Sequence, residues 1–371
     1  MSGNDGSAAH LTIDLDALAA NYRLLATRLE DAECAPAVKA DAYGLGMAQV
    51  APALWRAGAR SFFVATLDEG IALRALLPGA IIHVLSGPVD EPLFEYYVHG
   101  LRPVLNSLEQ IAEWSADPVA AAAPAALHID TGMNRLGLSP AEVAKLAAEP
   151  QRLAGLTPSL VMSHLACADQ PEQAMNEMQR RAFRAVLAKL NLAGKGLKRS
   201  LAGSSGIFLG PAYCFEMARP GAALYGLAPF AGQPNPMAQV VRLQGKILQV
   251  REIDRGRTVG YGATHRFARQ GRLATVGVGY ADGYLRSLSN RGWASFGGHR
   301  LPIVGRVSMD LVTFDVSDLP AGSPRPGDLV DLIGPDNDVD AVAAAAGTIG
   351  YVILTALGAR YRRRYLGAVT A

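Results

Sequence analysis

Seven polar side chains stand where chemistry could be done: Lys39, Arg135, His164, Ser204, Arg219, Tyr261 and Tyr280. Lys39 closes an apolar run that begins at Ala35, and the glycine-containing turn Ala40 to Gly46 follows it. An amine desolvated among apolar neighbours drops from its usual value of about 10.4 and becomes usable as a nucleophile or base. Glycines at 44 and 46 let backbone amides approach an anion, with the Tyr43 hydroxyl beside them. A lysine at a strand end is more often a solvated terminus, and on this stretch alone that plainer reading leads. Val259-Gly260-Tyr261-Gly262, Gly279-Tyr280-Ala281-Asp282-Gly283 and Gly305 to Asp310 offer further site material, or hairpin corners with a ring as lid.

Short apolar runs alternating with helical stripes must position these groups. Leu18, Tyr22, Leu25 and Leu29 share one helical face, and Met47, Val50 and Leu54 form another closed by Gly58. Ser139-Pro140-Ala141-Glu142 carries a serine cap, a proline at the first helical position and a glutamate three on. Ala35–Lys39, Phe62–Val64, Ile81–Leu85, Leu101–Leu105, Leu127–Ile129, Leu160–His164, Arg199–Ala202 and Phe215–Arg219 read as strands. This alternation predicts an α/β fold, a parallel (β/α)8 barrel over residues 1–232, whose strand ends carry Lys39, Asp130 with Arg135, His164, Ser204 and Arg219. The alanine-rich stretch Val119 to Ala126 reads as a loop or frayed helix end.

Past Pro234 and Pro236 the runs become strand-like: Val241–Val250, Leu273–Val278, Leu301–Phe314 and Asp328–Ile333, then a helical segment around Ala341 to Ala346. Residues 233–371 are therefore expected to form a second, mainly β domain. A chain of 371 residues with 50% apolar content can fill two cores. A net charge of +2, with Arg362-Arg363-Arg364 as the sole dense basic run, suggests neither nucleic acid nor membrane as partner. Cys34, Cys167 and Cys214 show no metal-ligand spacing and read as free thiols of a reducing compartment. The start MSGNDGSAAH lacks a targeting pattern, so the expected location is the cytoplasm and no metal is expected.

The ordered series VKADAYGLG, HIDTGMNRLG, SHLA, ARPGAALYG, VGYGATHRF, GYADGYLR and GRVSMDLV resembles the alanine racemases over nearly the whole chain. The resemblance implies an isomerase that uses pyridoxal 5'-phosphate, takes alanine, and works as a homodimer with Tyr261 of one copy completing the site around Lys39 of the other. Lys39 and Tyr261 are implied as the two catalytic bases on opposite faces of the substrate α-carbon, with His164 and Arg219 in support. A tyrosine starts near pKa 10, and a shift of about 3 units is within reach of a unit charge roughly 4 Å away. Lys39, Tyr43, Ser204, Arg219, Gly221 and Ala222 are implied to hold the cofactor, Arg219 at its pyridine nitrogen. Arg135 and the Met309 backbone N–H are implied to hold the substrate carboxylate, with Asp310 supporting that loop and Tyr280 at the entrance. D-alanine would serve cell-wall synthesis, or alanine catabolism if the flow is reversed.

The chain departs from the family pattern at His128, where many members carry a lysine, at Ala359, where several place a second entrance tyrosine, and at Gly203, where an asparagine is usual. A wider entrance would admit serine, so a broader amino-acid racemase is the alternative. A barrel decarboxylase of the same cofactor, or a non-catalytic carrier of it, fits Tyr261, Met309 and the β domain less well.

Overall fold

The computed structural model describes residues 7–192 and 196–367; the polar start, residues 1–6, lies outside the described residues. Six strands, Ser61–Val64, Ile81–Val84, Leu101–Leu105, Pro124–His128, Thr157–Met162 and Lys198–Ser200, pair in chain order, every pair parallel. Glu33–Cys34 pairs in parallel with Met217–Ala218. Hydrogen bonds from Val38 N to Phe63 O (2.9 Å) and from Arg219 N to Ala202 O (2.9 Å) join this pair to both ends of the six. The circuit is the expected barrel, and the ladder of its first strand ends earlier than the apolar run, which carries on through an isolated bridge between Ala37 and Phe63.

Burial on both faces explains the strand composition: all four residues of Ser61–Val64 are buried, because helices cover the outside and packed side chains fill the inside. The helices start where the sequence offers a cap. Asp14 accepts from the N–H groups of Asp16 and Ala17, Thr66 from Glu69, Ser107 from Gln110, and Ser139 with Glu142 forms the reciprocal pair expected at the start of Pro140–Ala148. Leu18, Tyr22 and Leu25 bury their shared face, as their spacing predicts. The alanine-rich stretch divides into a one-turn helix, Pro118–Ala122, capped by Asp117, and the barrel strand Pro124–His128.

Eight of the remaining strands form one sheet, ordered His299–Pro302, Trp293–Phe296, Leu329–Ile333, Val241–Ile253, Ala9–Asp14, Arg362–Leu366, with Gly271–Val276 branching from the long Val241–Ile253 and Val312–Asp315 pairing on it in turn, while Thr258–Val259 and His265–Arg266 pair only with each other. A bulge between Ile247 and Gln249 bends that strand, so its first half pairs with one set of neighbours and its second half with another. Ala9–Asp14 pairs antiparallel with Val241–Ile253 and parallel with Arg362–Leu366, so the first strand of the chain belongs to this sheet and not to the barrel. The expected run Leu301–Phe314 is two strands. It breaks because Gly305 turns at φ +82°, where a Cβ would crowd Val259 O at 2.9 Å, and the segment 303–311 projects as a loop. Trp293–Phe296 escaped the sequence reading.

Val339–Ala346 and Gly350–Ala356 meet at 99° and are packed through Val342, Ala343, Ile353 and Leu354. Among the described residues no single helix is long and apolar enough to cross a membrane. The second helix lies on the turn after Lys39, where a Cβ on Gly44 would stand 2.6 Å from Leu354 O. Arg363 Nη1 donates to Gly44 O (2.7 Å) and Tyr365 Oη to Leu45 O (2.9 Å), so the C-terminal strand holds the barrel's most chemical loop.

Candidate active site

Lys39 opens a left-handed turn. Ala40, Asp41, Ala42 and Tyr43 have φ of 53°, 51°, 54° and 57°, a conformation that costs L-residues roughly 1–2 kcal/mol each. Specific hydrogen bonds offset that cost. Glu69 accepts from Ala40 N (2.6 Å) through one carboxylate oxygen and from Ala65 N (2.7 Å) through the other, and Asp41 Oδ1 accepts from Met47 N (2.7 Å), capping the helix Met47–Ala57. The turn sets Lys39 among covered groups. Burial draws its amine down from the ordinary lysine value, the charges of Arg135 and Arg219 push the same way, and Glu69 opposes them.

Arg219 is the buried charge of the barrel mouth. Its Nη1 donates to Ser200 Oγ, and its Nη2 donates to Ser163 O (2.6 Å) and to His164 Nδ1 (3.1 Å). A guanidinium only donates, so His164 Nδ1 is an acceptor and the ring proton sits on Nε2. Burial first, then the charges of Arg219 and Arg135, lower His164 to about 3, so it is neutral. Burial brings Arg219 itself down to about 9, and it keeps its charge near neutrality. No carboxylate forms an ion pair with it among the described residues.

Ser204 Oγ accepts from the N–H groups of Gly221 (3.0 Å) and Ala223 (3.1 Å). The buried Tyr43 ring lies 4.7 Å from Tyr225 and 6.0 Å from Tyr351, and its hydroxyl occupies the space a Cβ on Gly221 would need. Tyr43, Ser204 and Gly221 thus converge on one backbone cradle. Arg135 is exposed on the segment between Ile129 and Leu138, which bridge to each other, and its charge is felt at Lys39, His128 and His164. His128 is fixed by Asn106: the Asn106 amide donates to the carbonyls of Val104, Leu85 and Ser86, so its Oδ1 must accept from His128 Nδ1 (2.8 Å). His128, lowered to about 4 mainly by burial, therefore keeps a lone pair on Nε2.

The second-domain residues are placed differently. Tyr261 is 73% exposed, Met309 54% and Tyr280 41%. Among the described residues no hydrogen bond or ring contact joins Tyr261 to Lys39, His164 or Arg219. The single chain brings the barrel groups together and leaves Tyr261, Tyr280 and Met309 facing outward. Ala359 borders a cleft of about 560 Å³ with Asp41, Gly44, Gly46 and Leu357.

Residues 13–229 match the family described as "Alanine racemase, N-terminal domain", and residues 240–365 match "Alanine racemase, C-terminal domain". The chain belongs to the alanine racemase family. An alanine racemase of Rhodospirillum rubrum is 54% identical over 371 residues, 99% of this chain and 98% of that one. A catabolic alanine racemase of Mesorhizobium japonicum is 50% identical, covering 97% and 94%. The crystal structure of alanine racemase from Bartonella henselae with covalently bound pyridoxal phosphate superposes with a TM-score of 0.92 at 42% identity, over 97% of this chain and all of that one.

The residues of this family member fit such a group. Arg219 is a buried cation without a carboxylate, which suits an electron-rich ring atom, and a small anion suits a cradle shaped by Gly221, Ser204 and Tyr43. Sequence reasoning missed Glu69, Ser163, Ser200 and Asn106. None carries a local signature, since each matters through a partner far along the chain.

Proposed function

We propose that this chain interconverts L- and D-alanine using pyridoxal 5'-phosphate bound at the barrel mouth. The observation that carries the reading is the Lys39 amine, drawn down by burial, beside a buried Arg219 that lacks a carboxylate. When bound, pyridoxal 5'-phosphate supplies an electron-withdrawing ring that acidifies the hydrogen on the substrate's α-carbon. Lys39 holds the cofactor covalently through Nζ and, once released, holds or removes a proton at Nζ on one face. Tyr261 Oη does the same on the opposite face. Racemisation needs two bases, since a single face returns the enantiomer it took.

Arg219 donates toward the ring nitrogen, and a guanidinium keeps that atom unprotonated. Through His164 it extends the hydrogen-bonded chain, whose remaining proton is on Nε2. Tyr43, Ser204 and the amides of Gly221 and Ala222 bind the phosphate. Arg135 and the Met309 N–H bind the substrate carboxylate, and Tyr280 narrows the entrance. The exposure of Tyr261 supports a homodimer in which a second copy brings its phenol to Lys39, so that the barrel of one copy faces the mainly β domain of the other. We place the enzyme in the cytoplasm.

Ala359, a small residue where several members of the family place a second entrance tyrosine, supports a second reading, acceptance of serine as well as alanine. A chiral assay tests both: L-alanine must lose optical rotation without releasing carbon dioxide, and a panel of side chains reads the breadth. Mixing Lys39→Ala with Tyr261→Phe tests the shared site. Random reassortment restores about a quarter of the activity if each site draws on two copies, and none if it does not.

A further inference from the structure

Three loops of the second domain meet at Arg360. Its Nε donates to Asp282 Oδ1 (2.5 Å) and its Nη2 to Asp282 Oδ2 (2.8 Å), a two-pronged pairing, while its Nη1 donates to Asp310 Oδ1 (2.8 Å). Asp282 is buried, its Oδ2 also accepts from Gly279 N (2.9 Å), and its carbonyl accepts from Gly358 N (3.0 Å). The loop carrying Tyr280 is thereby tied to the segment before Arg360. The loop carrying Met309 is tied to both, through Tyr280 N to Ser308 O (3.0 Å) and Ala281 N to Met309 O (3.0 Å). A Cβ on Gly279 would collide with Ser308 O and Met309 O, so the two backbones meet at contact distance.

This arrangement aims one donor. Ser308 C=O and Met309 N–H belong to the same trans peptide and point in opposite directions. With Ser308 O turned toward Tyr280, Met309 N–H is turned away from that loop, and it meets no acceptor among the described residues. We propose that Arg360 is a positioning residue: by bridging Asp282 and Asp310 it fixes the direction of the Met309 N–H that receives the substrate carboxylate. The inference rests on the reading of Met309 given above. Without the guanidinium, two carboxylates face each other across the two loops, one of them buried, and their repulsion opens the pair. Arg360 is one cation between two anions, and lysine, with a compact charge, cannot reproduce a fork to one carboxylate and a third bond to another.

The test uses the cofactor-loaded enzyme and the variants Arg360→Lys and Asp310→Ala, both at half-exposed side chains, and their double. Each single variant is expected to raise KM for L- and D-alanine about tenfold, with kcat within about threefold. Propionate, which offers the same carboxylate and methyl group without the amine, is expected to lose competitive affinity by the same factor. The double variant should be no worse than the weaker single, since both remove one link. Amide exchange in 308–311 should quicken in every variant. Unchanged KM and propionate inhibition, or a fall in kcat at constant KM, overturns the proposal. A wild-type enzyme inactive on alanine instead overturns the functional reading, and the exchange measurement still reports whether the clamp exists.

Discussion

Acid should destabilise this protein earlier than carboxylate titration alone predicts, through three buried histidines. His83 and His164 are lowered to about 3 and His128 to about 4, from an ordinary 6.5. Burial is the leading cause for each, reinforced by Arg102, Lys198 and Arg219 at His83 and by Arg219 at the other two. The folded state keeps all three neutral, whereas the unfolded chain protonates them near 6.5, so it binds more protons at every pH between that value and about 4. Their contribution is complete above 6.5 and is lost as pH falls toward the folded values. Between about pH 7 and about pH 5.5 each site costs roughly 1.3 kcal/mol, together about 4 kcal/mol, a large share of an ordinary folding free energy. Glu142, Glu177 and Glu216 are all lowered and titrate below this interval, and Asp340, raised by burial, works in the opposite direction. Urea unfolding at the two pH values measures the loss. His83→Phe isolates one third of it, because a phenyl ring keeps the stack on Phe63 (centroids 4.7 Å apart, 12° between planes) and His83 Nδ1 has no partner to lose. A wild-type loss under about 1 kcal/mol, or an undiminished loss in His83→Phe, refutes the reasoning.

Gly221→Ala should weaken cofactor binding by at least about tenfold, since the new methyl group meets the Tyr43 hydroxyl and the ring is backed by Tyr225 and Tyr351; equilibrium titration with pyridoxal 5'-phosphate checks it. Glu69→Gln leaves a neutral acceptor for one of two amides, so the left-handed turn loosens by about 1–2 kcal/mol and Lys39 loses the one nearby charge that favours its protonation. A fall in the pH at which alanine turnover rises to its plateau would report that second effect. Ala359→Tyr should restore the second entrance tyrosine of the family pattern and cut turnover of serine more than that of alanine, read as the ratio of their kcat/KM values.

The barrel was legible because its strands are buried on both faces, which turns them into uninterrupted apolar runs such as Phe62–Val64, and because a helix start such as Ser139 announces itself by its cap. The strand-end lysine, arginine and histidine could be found for the same reason: polarity interrupts an apolar run abruptly. Three things were hidden. The left-handed turn at Ala40–Tyr43 is built mostly of residues with no preference for that conformation, and one of the groups that holds it, Glu69, lies far off in sequence. The break between Pro302 and Val312 hides within a run that reads as continuous strand. The partnership of Ala9–Asp14 is a long-range pairing, and periodicity within a window says which face a strand buries but not which sheet it joins.

That last pairing has a consequence for how the protein is made. Ala9–Asp14 lies between two strands that the ribosome delivers hundreds of residues later, Val241–Ile253 and then Arg362–Leu366. A nascent barrel therefore emerges with a ribbon, apolar on one face, whose backbone donors and acceptors have no sheet partner until Val241–Ile253 and then Arg362–Leu366 follow. Completion of the sheet waits for those strands and is slowed by the long loop closure between them and Ala9–Asp14. A barrel expressed alone should clump unless that ribbon is trimmed, and the β module should need the same ribbon grafted back to fold.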